Sequence, residues 1–77
     1  MAKRTKLFEK LKNNPVGATF AQLEKLLKSE DFILDRISGS HHIFKRRSVI
    51  FVVPVHGGKV KAVYVKRLIE ILEDSDI

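Results

Sequence analysis

The 77-residue chain contains no cysteine, so neither a disulfide framework nor a thiolate metal site can stabilise its fold. Chains of this size often depend on such a staple, and this one must be held together by its hydrophobic core alone. Its hydrophobic content of 44% is that of an ordinary globular protein, which argues against disorder. The length predicts a single domain.

The chain also lacks any long apolar run. The longest, residues 49–53, has the length of a strand and falls far short of the roughly 18 residues of a membrane span. The basic N-terminus continues into Phe8, Glu9 and Lys10 rather than into an apolar segment, which argues against a signal peptide. We therefore expect a cytoplasmic domain that makes no membrane contact.

Acidic residues are absent from a long central segment. Residues 45–67 contain seven lysines and arginines and no aspartate or glutamate, within a chain of net charge +6. Acidic residues return at the end of the chain, where Glu70, Glu73, Asp74 and Asp76 lie. A cationic segment of this kind indicates nucleic acid as the ligand. The plainer interpretation is a solvated basic surface.

Hydrophobic periodicity and turn signals divide the chain into six elements. Thr19 and Gln22 have the spacing of a capping box that opens the second helix, while Pro54 ends the last strand. The pattern predicts helices at residues 6–13, 20–29 and 63–73 and strands at residues 32–37, 41–45 and 49–53.

The connections between the strands are too short for parallel crossovers, so the three strands should form an antiparallel meander. Both long helices can bury their apolar stripes on one face of that sheet, which leaves the other face open. The result is an α+β fold with the α-β-β-β-α order of a double-stranded-RNA-binding domain, plus an extra N-terminal helix. We assign residues 1–17 to an N-terminal helical extension and residues 18–77 to the main domain.

The adjacent histidines His41 and His42 raise the question of a metal or catalytic site. Neighbouring residues on a strand point to opposite faces, so these two cannot easily share one ion. No aspartate or glutamate lies between residues 36 and 69 to complete a ligand set or to orient a histidine beside Ser38, Ser40 or Ser48. We predict neither a metal nor another cofactor.

General acid–base catalysis on RNA suits these residues better, because RNA carries its own nucleophile in the 2′-hydroxyl group. An imidazole that moves protons contributes roughly 10²- to 10⁴-fold to such a reaction. Lys45, Arg46, Arg47 and Lys59 are then candidates to stabilise charge on the phosphoryl oxygens. The competing interpretation is a basic strand that contacts phosphate without chemistry.

Three segments resemble the HicA toxins: Gly39-Ser40-His41-His42-Ile43-Phe44, then Val53-Pro54-Val55-His56, then an amphipathic stretch at residues 63–69. The resemblance runs from about residue 20 to residue 72. It implies a double-stranded-RNA-binding-like fold, metal-independent mRNA cleavage, and membership of a type II toxin–antitoxin system with a HicB-like antitoxin as partner. The essential histidine of that family follows the Gly-Ser pair, which is His41 here. His42 is the alternative, because a one-residue slip of the strand would exchange its faces.

The leading hypothesis is therefore a toxin-type endoribonuclease with His41 as general acid or base. Lys45, Arg46, Arg47, His56 and Lys59 would bind RNA, and Gly39 and Ser40 would form the turn that presents the histidine. A non-catalytic RNA-binding module is the alternative, and a pure interaction domain that pairs through its sheet edge is a third hypothesis.

Three features depart from the family pattern. Asp31 stands where the family usually has glycine, and residues 60–62 offer no good cap for the last helix. The first helix, residues 5–14, lies outside the common pattern and is a candidate for homodimerisation or antitoxin contact.

Overall fold

The computed structural model describes residues 6–74, so Asp76 of the acidic C-terminal stretch lies outside the described residues. The elements are α1 (Lys6–Asn13), α2 (Phe20–Ser29), β1 (Ile33–Ser38), β2 (His41–Arg46), β3 (Val49–Pro54) and α3 (Ala62–Asp74). The strands form one antiparallel sheet in the order β1-β2-β3. The predicted α+β fold, with its α-β-β-β-α order and additional N-terminal helix, is confirmed. Within residues 6–74, no helix is long and apolar enough to cross a membrane.

Helix α2 begins at the predicted capping box. The Thr19 hydroxyl accepts a hydrogen bond from the Gln22 backbone amide at 3.2 Å, and the Gln22 side-chain oxygen accepts one from the Thr19 amide at 3.1 Å. Two of the amides that a helix N-terminus leaves without partners are thereby satisfied. The apolar stripe of this helix, Leu23, Leu26 and Leu27, is fully buried.

The C-terminus of α2 shows which backbone conformation Asp31 adopts at the position where glycine was expected. The Phe32 amide donates to the Leu27 carbonyl at 2.9 Å, and the Asp31 amide donates to the Lys28 carbonyl at 3.2 Å. This pair of bonds is a Schellman motif, which places Asp31 in the left-handed region with φ 70°. Glycine adopts that conformation without steric cost, whereas aspartate adopts it with some strain. The chain therefore keeps the turn while using a less favourable residue.

The two faces of the sheet differ sharply in burial. Cross-strand partners Phe44 and Phe51, together with Val53, are buried beneath the helices. The residues between them in sequence, such as Lys45, Ile50 and Val52, are exposed on the other face. In β2 and β3, burial thus follows the period of two expected for a sheet that is covered on one side, whereas all six residues of the edge strand β1 are exposed.

Helix α1 contributes to the same core. Phe8 is 2% exposed and Leu11 is 1% exposed, and both belong to the single cluster that includes the side chains beneath the sheet. At the C-terminal end of α1, Lys12 forms a salt bridge with Glu73 of α3, and this hydrogen bond raises the pKa of Lys12. The boundary between residues 17 and 18 stays a prediction, but α1 is packed as part of the domain.

Replacing Asp31 with glycine should stabilise the protein. Relief of the left-handed strain should raise the free energy of unfolding by about 1 kcal/mol. Urea denaturation measures this change. Asp31→Ala is the matched control: it removes the same charge but keeps a Cβ at the same positive φ, so it should not stabilise the protein. Equal effects of the two substitutions would contradict the backbone explanation.

Truncating Phe8 tests whether α1 is part of the cooperative fold. Phe8→Ala should lower the free energy of unfolding by about 3–5 kcal/mol, because it removes a buried ring and leaves a cavity. Phe8→Leu should cost less, and Lys10→Ala, at an exposed position of the same helix, should change stability by at most about 0.5 kcal/mol. If Phe8→Ala unfolds like wild type in urea, α1 is not held by the core.

Candidate nucleic-acid interface

A tight turn places His41 at the first position of β2. Ser38 pairs with His41, so only Gly39 and Ser40 connect the two strands. Gly39 has φ +60°, as the first central residue of a type II′ hairpin turn requires. Gly39 and Ser40 therefore form the turn beside the histidine pair, and the glycine is needed for its shape.

The chain that follows β3 forms another hairpin, which is hydrogen-bonded to the Gly39-Ser40 turn. Just after β3, the Val55 amide donates to the Ser40 carbonyl at 2.8 Å. His56 and Lys59 then exchange two backbone hydrogen bonds of 3.1 Å across Gly57 and Gly58. Both glycines have positive φ, +60° and +75°, which indicates a type I′ turn.

The tip of this hairpin is attached to α2, because the Phe20 amide donates to the Gly58 carbonyl at 2.8 Å. Residues 38–42, residues 54–59 and the first residue of α2 are therefore held together by backbone bonds. We call residues 38–42 and 54–59 the histidine end of the sheet, since all three histidines of the chain lie there.

His41 and His42 point in opposite directions. The His42 ring is half-buried on the helix-facing side, where its centroid lies 4.4 Å from that of Phe20. Its Nδ1 also lies 3.4 Å from the Ser40 carbonyl oxygen. His41 is exposed on the opposite face, next to Pro54 of β3 and Ser38 of β1. Within residues 6–74 its imidazole makes no hydrogen bond or ion pair, so it is available to a ligand.

The cations predicted to bind RNA do not form one cluster. Lys59 lies at the histidine end, as does His56, and both are exposed. Lys45, Arg46 and Arg47 lie at the opposite end of β2, about 14 Å or more from His41 at the rise of a strand. The histidine and this cation run are therefore adjacent in sequence but separated along the strand.

Arg46 faces the helices rather than the open face. Its Nη1 donates to the Glu30 carbonyl at 3.0 Å, and its guanidinium carbon lies 4.7 Å from the centroid of the Phe32 ring. These contacts join β2 to the end of α2 and give Arg46 a packing function. Lys45, its neighbour, is exposed on the opposite face.

Arg47 occupies the β2–β3 turn with φ 54°, a left-handed conformation that disfavours any residue with a Cβ. The side chain is exposed. The turn therefore exposes a cation at a position where glycine would be less strained.

Sequence reasoning missed Arg36. Ser38, Ile37 and Arg36 pair in regular register with His41, His42 and Ile43, so alternation from the turn places Arg36 on the same face as Ser38 and His41. The register shifts only beyond Arg36, where a β-bulge between Leu34 and Arg36 leaves Asp35 as the extra residue. Arg36 lies outside the basic segment 45–67, and it is the pairing of β1 with β2 that brings it to the face of His41.

The open face of the sheet is defined by nine cross-strand positions without a carboxylate. They are Ile33, Arg36, Ser38, His41, Ile43, Lys45, Ile50, Val52 and Pro54. Two cations and one imidazole stand among aliphatic side chains that are largely exposed, including Ile33 at 67% and Ile50 at 60%. Such a surface suits an anionic ligand with apolar parts. No group of three or more metal-ligating side chains is assembled within residues 6–74.

Comparison with protein families finds one whose model is described as the HicA toxin of bacterial toxin–antitoxin, and it matches residues 20–77. The match contains the whole histidine end and the open face, and it begins after α1. Neither the curated proteins nor the solved structures yield a significant match.

The two histidines should differ in their effect on stability. His42→Ala should lower the free energy of unfolding by about 1 kcal/mol, because it removes the ring packed on Phe20. His41→Ala, at an exposed position, should change it by less than about 0.5 kcal/mol. Urea denaturation of both variants measures the difference. A larger loss in His41→Ala would show that the strand register is shifted by one residue.

Proposed function

The chain belongs to the HicA family of toxins of bacterial toxin–antitoxin systems, because the family model covers 58 of its 77 residues, and from this premise we propose that it is a metal-independent endoribonuclease that cleaves mRNA. The observation that carries the proposal is the exposure of His41 on a face whose nine cross-strand positions carry no carboxylate, while His42 is packed against Phe20. The system would be of type II, in which a protein antitoxin inhibits the toxin.

The proposed reaction uses the 2′-hydroxyl of RNA as the nucleophile. The 2′-oxygen bonds to the adjacent phosphorus, the bond from phosphorus to the 5′-oxygen breaks, and a 2′,3′-cyclic phosphate and a 5′-hydroxyl result. The 2′-hydroxyl loses one proton and the leaving 5′-oxygen gains one. His41 would carry out one of these transfers, because an imidazole both accepts and donates protons near neutral pH.

The remaining site residues would bind the substrate. Lys59 and His56 are exposed at the histidine end, close enough in the fold to contact nucleotides next to the cleaved bond. Lys45 and Arg47 would bind phosphates farther along β2. We propose that Arg46 acts indirectly, by holding β2 against the end of α2 through Glu30 and Phe32.

A HicB-like antitoxin is the proposed protein partner, and cytoplasmic mRNA is the proposed target. Inhibition requires that the antitoxin keep RNA away from His41. Expression of the chain alone should then arrest growth, and co-expression of the neighbouring reading frame should relieve the arrest.

One observation favours a second candidate, a non-catalytic RNA-binding module. No side chain among residues 6–74 hydrogen-bonds to His41, whereas catalytic imidazoles are often oriented by a partner. Such a module would bind RNA with an affinity that falls as salt rises, by about 0.7 log units per log unit for each single-strand phosphate contact. It would leave the RNA intact.

Cleavage assays on purified protein distinguish these functions. With a single-stranded RNA in EDTA, wild type should produce cyclic-phosphate ends, and His41→Ala should cleave about 10²- to 10⁴-fold more slowly. His42→Phe is the matched control, because it removes an imidazole but keeps a ring against Phe20; it should cleave like wild type. Equal cleavage by His41→Ala and wild type would contradict the assignment, and RNA binding without any cleavage would favour the second candidate.

A further inference from the structure

We propose that Arg36 binds the phosphate at which cleavage occurs, and that single-stranded RNA crosses the open face of the sheet from the histidine end toward Lys45. This inference rests on the proposed function and specifies its substrate path. It assigns to RNA binding a residue that lies outside the segment 45–67 and that the sequence pattern did not indicate.

The register puts Arg36 between the two basic positions of β2. Arg36 pairs with Ile43, which lies two residues from His41 and two residues from Lys45 on the same face. Diagonal neighbours of this kind in an antiparallel pair are about 7–8 Å apart, within reach of a long side chain. Arg36 is thus the cation of the sheet best placed to hold a phosphate beside the His41 imidazole.

The guanidinium of Arg36 is not engaged elsewhere in the described part of the chain. Arg36 is exposed, and it makes no ion pair or hydrogen bond with any residue from 6 to 74. Arg46 differs, because it is held by Glu30 and Phe32. A guanidinium offers a planar pair of donors that matches two phosphate oxygens, so Arg36 can both bind the phosphate and stabilise the charge that develops there.

The tight turn decides the sign of the charge at this position. Arg36, Ile37 and Ser38 pair without interruption with Ile43, His42 and His41, so Arg36 shares the face of Ser38 and His41. The β-bulge lies beyond Arg36 and leaves Asp35 without a cross-strand partner. The open-face position of β1 nearest to His41 after Ser38 therefore carries a cation, which attracts the RNA backbone.

The remainder of the open face favours an unpaired strand over a duplex. Its aliphatic side chains, with Ile50 at 60% and Val52 at 40% exposure, can contact bases that are not stacked in a helix. A duplex would present mainly phosphates and sugars to such a surface. Apart from the His41 imidazole, the nine positions of this face carry no aromatic side chain for base stacking, so we expect most of the affinity to come from Arg36, Lys45 and the other cations.

Arg36 variants test the phosphate contact. Arg36→Gln should lower the single-turnover cleavage rate at saturating enzyme about 10²- to 10³-fold, the loss typical of one charge-stabilising donor. Arg36→Lys should restore part of that rate, because it keeps the charge but not the paired donors. Arg67→Gln, at an exposed position of α3, removes the same charge away from the sheet and should cleave nearly as wild type does. Thermal melting of all variants checks that they are folded.

A second pair of variants tests the path of the strand. Ile50→Glu places a carboxylate on the open face, and Val63→Glu places one on α3 at an equal exposure of 60%. Ile50→Glu should weaken binding of a short single-stranded RNA by on the order of tenfold or more, since like charges at an interface are strongly unfavourable. Val63→Glu should bind like wild type.

The outcomes separate this inference from the proposed function. If His41→Ala abolishes cleavage while Arg36→Gln and Ile50→Glu match their controls, the RNA path is wrong and the function stands. If the open-face variants lose antitoxin binding but retain RNA binding and cleavage, the face serves a protein and the inference is overturned. If wild type binds RNA without cleaving it, the cleavage role of Arg36 fails with the function. A loss of binding in Ile50→Glu alone would still support the path.

Discussion

The burial of Phe44 against Phe51 beneath the helices determines the orientation of every other side chain in the sheet. Successive residues of a strand face opposite sides, so placing Phe44 in the core directs His42 toward the helices and His41 away from them. A slip of one residue would expose Phe44 and exchange the two histidines. The free energy of burying an aromatic ring opposes that slip, and the availability of His41 to a ligand therefore follows from core packing.

The histidine end depends in turn on backbone conformations that few residues adopt. Gly39, Gly57 and Gly58 supply positive φ at the two hairpins, and the hydrogen bond from Val55 to Ser40 joins them. Backbone bonds, and not a carboxylate, position the strand end that carries His41. The cations near His41 are therefore not neutralised by an orienting acid. Arg47 differs from these glycines, because it has a positive φ in a turn where glycine would be less strained.

Because the chain has no cysteine and so no disulfide, its stability depends on the core, to which α1 contributes. A domain of this size buries little apolar surface, and Phe8 and Leu11 add two large side chains to its core. Because α1 precedes the region that the family model matches, this chain uses a segment beyond the common pattern to complete its packing. We attribute to α1 a structural role first, and any contact with a partner would involve its exposed side.

Local patterns predicted much of this molecule: the six elements, the capping box of Thr19 and Gln22, the meander and the opposed histidines all follow from short-range spacing and residue chemistry. The motif at residues 39–44 indicated the family. Other features required the folded chain. The pairing that brings Arg36 to the face of His41, the bulge at Asp35 and the contacts that engage Arg46 arise from pairing and packing between separate segments of the chain. Periodicity describes one segment at a time, whereas the register of a strand and the partners of a side chain are set by what lies across from it.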